Sequence, residues 1–315
     1  MSVSCLYCIP EDLSVDIRTP VRLFGSFIRK SDGQRLQGYR CNTCQKTFSQ
    51  ASLSPCLNQK KRHLNPHIFE LLCSNISQRR LAQYLRTNRK TVARKLVFLG
   101  RHSLDLLRQT NALLPKSQIV EFDDLETYEH SKCKPLSVTM VVEHKTRRIL
   151  GFRVAQMPAK GHLAKIAHKR YGYRKDERAK KRKELFQELK QFVHEEALFK
   201  SDQNPSYPTD VSKYFPKAKH ETFKGRRGCV TGQGELKAGD FDPLFTLNHS
   251  FAMFRANINR LIRKTWNTTK KPERLFDHIA MYCVYHNLKL IQKKTSSSSP
   301  NKDRTGSDGR PKAGP

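Results

Sequence analysis

Three short apolar runs between Ser117 and Gln156 constrain the fold of this chain more than any other stretch. Ile119-Val120-Glu121-Phe122 is β-prone and ends on Asp123 and Asp124. Leu136 to Val142 follows, then a polar turn over Glu143 to Thr146, then Arg148 to Ala155. Runs of this length, rich in β-branched and aromatic residues and separated by turn residues, predict a three-strand meander. A carboxylate where the first strand of such a sheet ends is well placed to hold a divalent metal. Ala197 to Ser201 repeats the device, a β-prone run ending on Asp202. Taken singly, each acid has a plainer explanation as a turn cap, a common use of Asp. Two such strand ends in one basic chain point to metal chemistry instead.

How basic the chain is decides the partner class. Its 60 Lys and Arg against 28 Asp and Glu leave a formal net charge of +32 over 315 residues. Self-repulsion on that scale does not help a globular fold, so a polyanion is the expected partner, nucleic acid foremost. Its binding should weaken steeply with salt. The length suits one large domain with one or two small ones. No apolar run approaches a membrane span, and Met1 to Cys5 lacks the charged and apolar regions of a signal peptide. A cytoplasmic protein with no membrane partner is expected. Its nine cysteines are then read as thiols, with metal binding favoured over disulfides.

Cys5-Leu6-Tyr7-Cys8 and Cys41-Asn42-Thr43-Cys44 are two CxxC knuckles, and their spacing predicts one structural, four-thiolate Zn²⁺ in a zinc ribbon over 1–56. The gap between them can return as a hairpin through Asp32-Gly33, with Pro10 to Ser26 as extra strand or loop. Cys56, Cys73, Cys133, Cys229 and Cys283 have no such spacing and read as buried or idle.

Asn65 to Ser103 reads as helices. Ser77 and Asn88 are good N-caps, and Leu81, Ala82, Leu85, Val92 and Leu96 have the spacing of a helix-turn-helix core, within a domain over 62–104. Arg79, Arg80, Arg89, Lys90, Arg94 and Lys95 would then be exposed to phosphates or a major groove. An ordinary helical hairpin with a solvated basic face has the same spacing; charge and the preceding zinc module favour DNA binding. A basic tract, Lys160 to Lys183 within 158–196, includes Lys180, Lys181, Arg182 and Lys183. It is either a solvated helix surface or a track for the DNA backbone, and its density favours the track. Leu185, Phe186, Leu189 and Phe192 should pack its far end on the sheet. Lys219 to Phe223 reads as an edge strand, and Gly225 to Gly239 as a loop. An amphipathic helix over Leu247 to Lys264 puts Asn248 and Arg255 on one face. A last helix spans Arg274 to Leu290, and 293–315 reads as a disordered basic tail.

These parts, in this order, resemble the transposases of bacterial insertion sequences, in particular the insertion-sequence-one group and its zinc-ribbon relatives. Three stretches carry the likeness. Tyr39 to Phe48 is similar to the second zinc knuckle, Val120-Glu121-Phe122-Asp123-Asp124 to the first catalytic strand, and Asn248 to Arg255 to the start of the last catalytic helix. The resemblance implies an α/β fold: a ribonuclease-H-like mixed sheet with flanking helices over 115–291, preceded by the zinc ribbon and the helix-turn-helix. It implies Asp123 and Asp202 as the first two metal ligands. The third falls on Asn248, where the family usually has Glu and some relatives carry Asn. Arg255 matches a basic residue that touches DNA. Two Mg²⁺ (or Mn²⁺) ions roughly 3.5–4 Å apart would flank the scissile phosphate of double-stranded DNA, at transposon ends and then at a target. A homodimer or higher oligomer on DNA, in the bacterial nucleoid, is the implied assembly. The rival expectation is a regulator descended from such an enzyme, which keeps the basic surfaces and has lost the metal site.

Overall fold

The structure, a computed structural model, describes residues 3–8, 20–224, 242–262 and 266–297. The chain forms two compact units, Met1–Pro66 and His67–Pro315.

The first unit is an antiparallel sheet of β1 (Val21–Ile28), β2 (Arg35–Cys41) and β3 (Thr47–Ser49), in that order. The expected hairpin turns at Asp32-Gly33, where Gly33 takes φ +68° and Arg29 Nε donates to Asp32 at 2.7 Å. Within β1 the register against β2 shifts between Leu23 and Ser26, a bulge at which Gly25 takes φ +65°. Opposite it, Gly38 has to be glycine, because a Cβ there would stand 2.3 Å from the Phe24 carbonyl oxygen. Of the expected extra strand, the part from Val21 on is β1; residues 9–19 lie outside the described residues.

The second unit is mixed α/β. Helix α1 (Asn65–Leu72) leads into α2 (Gln78–Tyr84) and α3 (Arg89–Ala112). Both expected N-caps form: Ser77 accepts from the Arg80 N–H, and Asn88 from the Lys90 N–H. Between the helices Arg86 adopts φ +46°, the left-handed conformation for which glycine would be the easier residue. Leu81, Ala82, Val92 and Leu96 are buried as their spacing predicts. Lys95, expected at the surface, is buried instead. It lies three residues after Val92 and four before Leu99, on the inward stripe of α3. That stripe continues through Leu99 and Leu107, so α3 runs on to Ala112, well past Ser103. Gly100 lets it approach α8 (Pro272–Ser297) closely; a Cβ there would lie 2.6 Å from Asp277 Cα.

The sheet has five strands in the order β6-β5-β4-β7-β8. The predicted meander is β4 (Ser117–Tyr128), β5 (Pro135–Glu143) and β6 (Ile149–Gln156), all antiparallel. Strands β7 (Val193–Asp202) and β8 (Lys219–Phe223) add on the other side of β4, both parallel. Helices lie on both faces: Phe152 of β6 meets Phe276 of α8 with ring centroids 4.8 Å apart. On the opposite face, a Cβ at neighbouring Gly151 would touch Leu185 of α5 (Arg178–Leu189). The α5 side holds the main core, where Phe122, Phe186, Leu189, Phe192, Phe199 and Tyr207 are buried together. Helices α4 (Leu163–Tyr171), α6 (Tyr207–Tyr214) and α7 (Phe245–Asn257) complete the unit. The start of edge strand β6 is capped by two buried amides. Asn287 accepts from the Ile149 N–H at 2.9 Å and donates to its carbonyl at 3.0 Å, and Asn111 donates to the Ile149 and Leu150 carbonyls. Among the described residues, no helix is long and apolar enough to cross a membrane.

Further expected boundaries move. The first strand does not stop at Phe122, because its pairing with β5 continues to Tyr128 opposite Pro135. Helix α7 ends at Asn257 rather than Lys264, giving way to a short 3₁₀ turn at Asn259–Leu261. Helix α8 continues to Ser297, past Lys293, and 298–315 lie outside the described residues. So do the Gly225 to Gly239 loop and Cys229.

Candidate functional site

The acids gather where β4 and β7 part. Strand β4 pairs with β7 through Glu121 opposite Lys200 and no further, while β7 runs on beside β8 to Asp202 opposite Phe223. Beyond Glu121 the β7-facing side of β4 is therefore unpaired, and Asp123 and Asp124 stand there. The chain order also reverses at this seam, with β5 and β6 on one side of β4 and β7 and β8 on the other. In open α/β sheets such a switch point, at the carboxyl ends of the parallel strands, leaves the crevice in which ligands bind.

Asp123 is held well above an ordinary carboxyl, at about 7. Burial is the main cause, and the negative charges of Asp202 and Asp124 add to it. The Asp124 N–H, donated to Asp123 Oδ1 at 2.6 Å, and the Tyr207 hydroxyl, donated to the same oxygen at 3.1 Å, pull the other way. Asp202 is raised too, by burial and by the charge of Asp124, against a stabilising hydrogen bond from the Asn204 N–H at 3.0 Å. That bond makes Asp202 a turn cap as well, so the plain reading of this acid and the chemical one coexist. Carboxyls raised by burial and by neighbouring negative charge are short of positive charge, which a divalent cation would supply.

Asp124 faces the other side of β4. Its Oδ1 accepts from the Thr139 hydroxyl, and its Oδ2 lies 3.8 Å from Arg182 Nη1. Arg182 also pairs with Asp210 at 2.6 Å, donates to Ser206 Oγ at 2.9 Å and sits over the Tyr207 ring. It is 4 % exposed. The expectation that Arg182 meets DNA is thereby corrected: at this turn of α5 the side chain points inward, to the two acids that need its charge.

The third expected ligand, Asn248, is exposed on the first turns of α7, and its Nδ2 donates to Asp242 Oδ2 at 2.8 Å. It does not cap the helix, which begins at Phe245. Next to it, the Leu247 N–H donates at 2.9 Å to Glu121, two residues before Asp123 on the same face of β4. Arg255, two turns on, is exposed as expected. Glu235, the next candidate for the third ligand should Asn248 not serve, lies outside the described residues.

The basic surfaces are only partly as expected. Arg89, Lys90 and Arg94 are exposed at the start of α3, and Arg79 and Arg80 on α2. In the Lys160 to Lys183 tract, Lys160, Lys165, Lys169, Arg170, Lys175, Lys180 and Lys183 are exposed. Some of the tract is engaged: Lys160 with Glu126 at 3.5 Å, Lys181 with Glu184 at 2.9 Å, Arg178 with Asp176 at 2.6 Å, and Arg174 with Glu129 at 3.3 Å.

In the first unit the four knuckle cysteines converge, with ligand atoms all within 4.8 Å of one another, which makes this a possible structural metal site. The N–H groups of Thr43 and Cys44 donate to Cys41 Sγ, and that of Tyr7 to Cys5 Sγ. The bonds from Cys44 and Thr43 lower the Cys41 thiol, toward the thiolate that binds metal, while hydrogen bonds to the neighbouring sulfurs raise Cys8. Among the described residues this is the only group of three or more Cys, His, Asp or Glu side chains so converged. Among the described residues, the acids at the β4–β7 seam do not form such a group.

No protein-family model matches this chain, and no curated protein matches it. Tyr207, Glu121 and the inward Arg182 escaped sequence reasoning. Glu121 alone left a trace: an acid amid the apolar run Ile119 to Phe122, in step with Asp123 at the two-residue period of a strand.

Proposed function

We propose that this chain is a metal-dependent DNA phosphoryl-transfer enzyme of the insertion-sequence transposase kind, with Asp123 and Asp202 at its centre. The observation that carries the reading is the pair itself. One acid stands on the central strand and one ends its parallel neighbour, at the seam where the sheet reverses, and each carboxyl is held above its ordinary range. A five-stranded mixed sheet with helices on both faces is the coarse architecture that the ribonuclease-H-like resemblance implies, which supports the same reading. Mg²⁺ fits here because it commonly takes one or two protein carboxylates and completes its shell with water and substrate phosphate. Asp123 and Asp202, with the amide oxygen of Asn248, would hold it; bound, it supplies Lewis-acid activation of water and stabilisation of the leaving oxygen. Tyr207 steadies Asp123 by its hydrogen bond, and Arg182 neutralises Asp124.

The remaining parts fit a DNA substrate. Helices α2 and α3 are read as a helix-turn-helix presenting Arg89, Lys90 and Arg94 to the ends of the element, with Lys180, Lys183 and Arg255 along the backbone. The four cysteines are read as a structural Zn²⁺ site. A homo-oligomer on DNA is part of the same proposal.

The test is cleavage and strand transfer on DNA bearing the sequences that flank its gene, with Mg²⁺ or Mn²⁺. The wild type should act on such ends, and Asp123→Asn and Asp202→Asn should abolish the reaction while binding DNA as before. The engagement of Asn248 with Asp242 favours one rival, a DNA-binding regulator. A wild type that binds these ends yet never cuts them in either metal would establish that rival.

A further inference from the structure

We infer that Glu121 is a positioning residue, which fixes the first turns of α7 against β4 and so holds Asn248 in place for the cation of the acidic crevice. The inference rests on the reading of Asp123, Asp202 and Asn248 as metal ligands and adds to it the part that orders the third.

Glu121 is fully buried. An acid does not stay in an apolar strand without partners, and both of its oxygens have one. Oε1 meets His144 Nδ1, from the turn between β5 and β6, and Oε2 accepts the Leu247 N–H of α7 at 2.9 Å. Two further bonds tie the same turn of helix to the same loop. Thr246 Oγ1 accepts from the Lys145 N–H at 3.2 Å, and Arg147 Nη1 lies 3.2 Å from His249 Nε2. The residues on either side of Asn248 are thus anchored, while Asn248 itself is exposed and its side chain donates only through Nδ2, to Asp242, leaving the amide oxygen for a cation. Among these ties, the one from Glu121 springs from β4, two residues from Asp123, so it references the helix directly to the strand that carries the first ligand.

An exposed amide with no charge binds a cation weakly unless it is already in place, so the gain from Asn248 depends on how well α7 is held. Glu121 acts through reach and hydrogen-bond geometry rather than through its charge. Gln keeps the reach and an acceptor for the Leu247 N–H. Asp keeps the charge but is one methylene shorter and cannot span from β4 to both partners.

Mn²⁺ binding to the full-length, zinc-loaded protein, followed by electron paramagnetic resonance, separates the two. Asp123→Asn serves as the control for the site, and far-UV circular dichroism checks that each variant is folded. Glu121→Asp should weaken Mn²⁺ binding roughly 10-fold, and Glu121→Gln should stay within about 3-fold of wild type. Wild-type affinity in Glu121→Asp, or a loss in Glu121→Gln as large as in Glu121→Asp, overturns the positioning role while leaving the ligands as assigned. Mn²⁺ binding that Asp123→Asn does not reduce overturns the ligand assignment and this inference with it.

Discussion

Arg182→Met separates a charge that builds the fold from charges that meet DNA. Arg182 keeps 5 % of its side-chain surface and lies 2.6 Å from Asp210 and 3.8 Å from Asp124, which keep 19 % and 10 %. Methionine preserves most of the bulk but removes the cation paired with both acids, and breaking one side of a buried pair costs about 3–5 kcal/mol. Because water still reaches Asp210, the lower end, about 3 kcal/mol, is the expected value. For a unit of this size, at roughly 2–4 °C per kcal/mol, the melting temperature should fall by about 6–12 °C in scanning calorimetry. Adding Asp210→Leu should return part of that loss, since an apolar pair of similar volume can replace a buried ion pair. The contrast is Lys180→Ala with Lys183→Ala, two exposed lysines of the same helix. Their removal should shift melting by no more than about 2 °C. It should weaken binding to any DNA and lower the salt slope by up to about 1.8, at about 0.9 for each phosphate no longer neutralised. An Arg182→Met protein that melts like wild type and loses DNA affinity as the lysine pair does would refute the inward role.

Two further outcomes follow from the site and the metal cluster. The first unit buries few apolar side chains, Leu36 and Phe48 with the cysteines Cys5 and Cys41 among them, so its sheet should depend on metal. Elemental analysis should find about one zinc per chain. Chelation or Cys41→Ser should remove it together with amide protection in β1 to β3, and protection that survives metal loss would count against the assignment. The raised Asp123 gives the second unit a pH dependence. The folded carboxyl holds its proton up to about 7 and the unfolded one only to about 4, so stability falls as pH rises across that window. Without added divalent metal, the melting temperature of wild type should therefore drop relative to Asp123→Asn between these values. Parallel curves would mean that Asp123 titrates normally.

The sequence by itself determined the elements whose signals are local. Ser77 and Asn88 cap their helices because a side-chain oxygen beside a free N–H needs no distant partner. The meander follows from apolar runs between turn residues, and the paired CxxC spacing brought four thiols together. Tertiary structure decided what depends on pairing between distant segments. Asp123 and Asp202 are 79 positions apart, and the parallel pairing of β4 with β7 makes them neighbours in charge; no local pattern encodes that register. Arg182 and Lys183 are adjacent bases in one run, yet the rotation of α5 against the sheet buries one and exposes the other. Glu121 reads as one odd acid in an apolar strand until α7, more than a hundred residues later, brings it the Leu247 N–H. A buried polar group is defined by its partners, and those are chosen by the packing of elements that the chain joins only at long range.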